Sequence, residues 1–162
     1  MKRLLIALAA VLLTPLSVEA KVDPNTRNLI NTVESHGFDV LYDPVKDCGM
    51  GNVGGLIDFD HKYIALCLTD RTIADNHDTV RHEAVHLAQY CATKRRGYDY
   101  LAPLIDSRTK LSDFVEAVLP DQEIVAIKSM YTRDRWLPEL EAAAVARYYS
   151  ADWVSRLVNK WC

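Results

Sequence analysis

The chain has 162 residues, 49% of them hydrophobic, with 22 acidic and 19 basic side chains and a formal charge of −3. That length suits a single domain with its own core. The mild acidic excess excludes a nucleic-acid binder that depends on a basic face, and the one basic run, Lys94, Arg95 and Arg96, reads as a solvated helix end.

Met1-Lys2-Arg3 is a short basic segment, followed by an almost wholly apolar run over residues 4–13 and by Val18-Glu19-Ala20, a small-x-small ending. The pattern predicts a signal peptide over residues 1–20, cut after Ala20, and an exported domain over residues 21–162. The apolar run is short for a bilayer span and is closed by Thr14-Pro15, so no stable membrane insertion is expected after cleavage. Cys48, Cys67, Cys91 and Cys162 are an even set in a chain read as exported, which suggests two disulfides. Of the three possible connectivities, Cys48–Cys67 with Cys91–Cys162 is expected. The first pair would close a local glycine-rich loop, and the second would pin the C-terminus to the end of a central helix.

In chain order, Asp23-Pro24 opens a helix, with a cap followed by proline at the first helical position. Leu29, Ile30 and Val33 give that helix an apolar face, and His36-Gly37 ends it. Residues 38–42 alternate as a strand. Residues 43–55 form a turn-rich loop whose glycines read as permissive backbone, a flap over a cleft. They lack the Gly-Lys-Ser/Thr of a phosphate loop. Two short strands, 56–59 and 63–68, follow, joined by a hairpin turn at Asp60-His61-Lys62. A helix is predicted over 78–91, capped by Asp78 or Asn76. Beyond an irregular stretch, further helices are predicted over 112–118, 121–131, 137–149 and 150–160. The whole is α+β: a small three-stranded sheet, antiparallel or mixed, and a helical C-terminal half.

The helix over 78–91 carries His82-Glu83-Ala84-Val85-His86, an H-E-x-x-H motif. Residues four apart share one face of a helix, so both imidazoles can reach one ion from the same side. Glu83 can then act on a water held there, which is the arrangement of a zinc hydrolase. A catalytic zinc site takes a third protein ligand. His36, His61 and His77 all precede the motif, and no H-x-x-G-x-x-H continuation follows His86. The third ligand is therefore expected to be a carboxylate on a later helix, and Glu139 and Glu141, in Trp136-Leu137-Pro138-Glu139-Leu140-Glu141-Ala142-Ala143, are the candidates. They lie two apart on a helix, so both cannot face one metal.

Taken together, His82-Glu83-Ala84-Val85-His86 and Glu139-Leu140-Glu141-Ala142-Ala143 resemble the gluzincin group of zinc metallopeptidases. The resemblance covers less than a tenth of the chain. It implies a zincin-like fold and a Zn2+ ion held by His82, His86 and Glu139, with Glu141 as the alternative ligand. It also implies Glu83 as general base for a zinc-bound water in peptide-bond hydrolysis. The departure is Ala143, where the group often has Asp or Asn supporting a ligand histidine. Tyr148, Tyr149, Arg133, Arg135 and His77 are the candidate donors for the oxyanion. The expected partner is a peptide or protein substrate, with no nucleic acid. The competing reading keeps the metal without the chemistry: an inactive zinc-binding module on a peptidase scaffold.

Overall fold

A computed structural model describes residues 22–49, 54–68 and 72–162. The expected signal peptide and the centre of the glycine flap, residues 50–53, lie outside the described residues. Asp23 opens α1 (Pro24–Ser35): its carboxylate accepts from the backbone N–H groups of Asn25 at 2.7 Å and Thr26 at 3.0 Å. Gly37, at φ +80°, ends it in the left-handed region that glycine enters without a Cβ penalty. His36 is the C-cap residue, and its Nε2 meets Asn159 Oδ1 at 2.9 Å.

Three short strands follow: β1 (Asp39–Tyr42), β2 (Gly55–Asp58) and β3 (Tyr63–Leu66), with the four-residue helix α2 (Val45–Cys48) between the first two. The order is β1-β3-β2, parallel between β1 and β3 and antiparallel between β2 and β3. The sheet is therefore mixed, and β2 lies at an edge. The β2–β3 turn is shaped by Asp58, whose Oδ1 accepts from the backbone of Asp60 and His61, while Lys62 takes φ +54°.

The central element is α3 (Ile73–Arg96), 24 residues long. It begins five residues before the expected start. Thr72 and Asp75 form a reciprocal capping box, and Asp78, one of the two expected caps, is an interior residue paired with Arg81. Asn76, the other, is inside the helix and buried. Gly97, at φ +72°, ends the helix, and Lys94, Arg95 and Arg96 fill its last turn, where cations suit the helix dipole. Ala84, Val85, Leu87 and Ala88 are fully buried against α1, the sheet and the C-terminal helices.

The second half is helical: α4 (Arg108–Val118), α5 (Asp121–Met130), α6 (Trp136–Tyr148) and α7 (Ala151–Trp161). Ala142 and Ala144 are fully buried on α6 and let its backbone lie close to its neighbours. Arg81 reinforces the contact, donating through Nε to the Ala146 carbonyl at 2.6 Å, one of the end carbonyls that the helix itself cannot satisfy. The main core joins α1, the sheet, α3 and α7, through Leu29, Leu66, Leu87, Val154 and Val158 among others. A smaller one joins α4, α5 and α6 through Leu111, Val115, Ile127 and Leu140. Seven helices and a three-stranded mixed sheet make the described residues α+β. No helix among them is long and apolar enough to cross a membrane.

Both expected disulfides are present, Cys48–Cys67 and Cys91–Cys162. The second spans 71 residues and ties the end of the chain to α3. Closing a loop of that length restricts the unfolded chain by about 4 kcal/mol in the chain-entropy account. The double variant Cys91→Ala/Cys162→Ala is accordingly expected to lose stability of that order in urea unfolding. A loss under about 1 kcal/mol would mean that the crosslink constrains little in the unfolded chain.

Candidate metal centre

His82 and His86 project from adjacent turns of α3, with ring centroids 4.7 Å apart and planes at 83°. Their Nε2 atoms are 3.0 Å apart. Glu139, from the first turn of α6, points one oxygen at the pair: Oε2 lies 3.3 Å from His82 Nε2 and 3.1 Å from His86 Nε2. Bonds of about 2.0–2.1 Å from a tetrahedral zinc place ligand atoms roughly 3.3 Å from one another. The spacing of the three donor atoms is of that order, and the three residues form a group that could hold a metal ion. His86 and Glu139 are buried, while His82 is partly open on the cleft side.

The second oxygen of Glu139 is engaged elsewhere: Arg135 Nη2 donates to Oε1 at 3.0 Å. Only Oε2 is free to face the imidazoles. Burial raises the Glu139 carboxyl, but hydrogen bonds and charge from His82 and His86 outweigh it and hold the group well below the usual carboxylate range. Glu83 is the opposite case. Burial pushes its carboxyl up to about 7, the Glu139 charge adds to the rise, and His82 and Arg135 oppose it. Two carboxylates lining one cleft are thus driven apart in acidity, Glu139 held ionised and Glu83 able to exchange a proton near neutrality.

These groups open onto a cleft of about 550 Å³. One wall is Gly54, Gly55 and Thr79; the other is α5, with Ala126, Ile127 and Met130, and Tyr131 just after it; Ala143 and Ala146 of α6 line it too. An ion pair between Glu123 and Arg147, at 2.7 Å, joins α5 to α6 within it. Gly55 is required by proximity rather than by its backbone angle. A Cβ there would come within 3.0 Å of Glu83 Cγ and 2.8 Å of Thr79 Cγ2, so β2 passes directly over the Glu83 side chain.

No family model matches the chain, and no curated protein or solved structure matches it. His82, His86 and Glu139 come together as a group, and Glu83 lines the same cleft. Glu141 does not join them. It is buried on another side of α6, where it accepts from Gln89 and from the backbone of Leu104 and Ile105.

The oxyanion candidates mostly lie elsewhere. His77 is paired with Asp23 at the start of α1, Tyr149 is stacked on Trp153, and Tyr148 is exposed against Phe114. Arg133 lines a separate groove beside α4. Arg135 alone of the five touches the site, through Glu139.

Tyr131 was not among the residues expected at the site. It follows α5 directly, lines the cleft and hydrogen-bonds Glu139. Partial burial and the charges of Glu139 and Glu83 push its hydroxyl up to about 12, so it remains a neutral donor at working pH. A lone tyrosine between two helices carries no sequence signal of such a role. Gln89 was not expected there either, although its position three residues beyond His86 puts it on the same helix face.

Proposed function

We propose that the protein is a small exported zinc metallopeptidase of the gluzincin type, hydrolysing peptide bonds in peptide or protein substrates. The observation that carries the reading is the convergence of His82, His86 and Glu139, from two elements far apart in sequence, beside a buried Glu83 facing an open cleft. His82 Nε2, His86 Nε2 and Glu139 Oε2 would hold the ion. Bound zinc supplies Lewis-acid polarisation of the scissile carbonyl and lowers the pKa of the attacking water.

The chain's own groups do the rest. Glu83 takes the proton of the attacking water and returns it to the leaving amine, a task suited to a carboxyl near 7. Tyr131, a neutral hydroxyl lining the same cleft, would donate to the developing oxyanion by turning its one O–H away from Glu139. Arg135 keeps the second Glu139 oxygen engaged, which favours single-oxygen ligation. The edge strand β2 offers main-chain groups along one side of the cleft, to which an extended substrate can add. Export is supported by the two disulfides, which persist in oxidising compartments. A binding module without catalysis would not require a carboxyl of raised pKa beside the metal group, so Glu83 weighs against that alternative.

The test is cleavage of a proteome-derived peptide library by the purified, zinc-supplemented protein. New termini are expected by mass spectrometry, lost with 1,10-phenanthroline and recovered on returning zinc. No cleavage in the zinc-loaded state, or cleavage indifferent to the chelator, would contradict the proposal.

A further inference from the structure

Beneath the metal group runs a buried polar chain that the peptidase chemistry does not require. His86 has a second ring nitrogen, Nδ1, and it lies 2.7 Å from Gln89 Oε1. Gln89 is fully buried. Its amide nitrogen donates to the Pro138 carbonyl at 3.0 Å and to Glu141 Oε2 at 2.8 Å. Both amide hydrogens are thus committed to acceptors. Rotating the amide would set its oxygen against two other oxygens and its nitrogen against the ring, so the orientation is fixed by the surroundings.

Glu141 is fixed in turn. Its Oε2 accepts from the Leu104 N–H at 2.6 Å and its Oε1 from the Ile105 N–H at 2.8 Å. That segment has no regular structure and is held from α3 as well. Thr93 Oγ1 accepts from the Ala102 N–H at 3.1 Å, and Arg96 donates to the carbonyls of Pro103 at 3.1 Å and Leu104 at 3.3 Å. A buried carboxylate is a costly way to satisfy two backbone donors. It gains a second purpose when it also orients the amide that orients the imidazole.

We propose that Gln89 and Glu141 are positioning residues for the metal site. Glu141 sets the Gln89 amide, and Gln89 sets the His86 ring with its proton on Nδ1 and its Nε2 lone pair toward His82 and Glu139. This rests on the zinc reading above. It puts support for a ligand histidine on the second imidazole through a neighbour in the same helix, whereas Ala143 offers no polar group. The carboxylate expected as the alternative ligand becomes the outer end of the support.

Zinc affinity, read by competition with a chromophoric chelator, tests it, with the melting temperature of zinc-free protein as the structural control. Gln89→Leu is expected to weaken zinc binding 10- to 100-fold, the usual cost of losing such a partner. Gln89→Glu keeps an acceptor for Nδ1–H and can share one proton with Glu141, so its affinity should stay within about threefold of wild type. A Gln89→Leu protein that melts lower yet binds zinc as wild type does would overturn the proposal and leave Gln89 a packing residue. Wild-type protein that binds no zinc would remove the site itself, a different failure from unchanged variants. Should Gln89→Leu not fold, long-range 1H–15N spectra of zinc-loaded wild type decide: protonated His86 Nδ1 is expected, and protonated Nε2 would overturn the assignment.

Discussion

Replacing Glu83 by Gln is expected to abolish most hydrolysis while zinc stays bound. The substitution preserves shape in a tight place, where β2 lies against the Glu83 side chain at Gly55, so the fold and the cleft should persist. Glu83 is not one of the three converging donors, so the metal group is untouched. What disappears is a group able to take a proton near neutral pH, a capacity created by burial beside the Glu139 anion. General base catalysis contributes roughly 10²- to 10⁴-fold, and kcat should fall by that factor with KM little changed. A Glu83→Gln protein cleaving at a rate close to wild type would show that another group moves the proton.

Much of the site could be read from sequence because it depends on helical period alone. His82 and His86 four apart on a helix must share a face, whatever packs around them. The third donor was less legible. Glu139 and Glu141 sit on the same alanine-rich helix, and local pattern makes them equivalent until the fold buries both. α6 then turns Glu139 to the imidazoles and Glu141 to Gln89 and the 104–105 backbone. Tyr131 and Gly55 act through tertiary contacts, one with Glu139 and one against Glu83, and local pattern encodes neither.

For the fold, apolar spacing and turn residues located nearly every element. Strand order escaped, because alternation does not state which strand lies central, and β3 between a parallel and an antiparallel neighbour is a tertiary outcome. The start of α3 was misplaced because three capping candidates stand in close succession. The Thr72–Asp75 box wins by satisfying two backbone donors at once.

The central claim is that an ion belongs among His82, His86 and Glu139, and its loss on mutation is the second large effect expected. Removing both imidazoles leaves one carboxylate oxygen, far short of the three protein donors that a catalytic zinc takes. Binding only to the folded state also adds stability, about 2.7 kcal/mol when free zinc stands a hundredfold above its dissociation constant. The most direct measurement is therefore metal analysis of purified wild type beside the His82→Ala/His86→Ala double variant, with melting temperatures taken with and without added zinc. One zinc per wild-type chain, none in the variant, and a zinc-dependent rise in melting temperature confined to wild type is the expected result. Equal metal content in the two proteins, or a melting temperature of wild type indifferent to zinc, would contradict it.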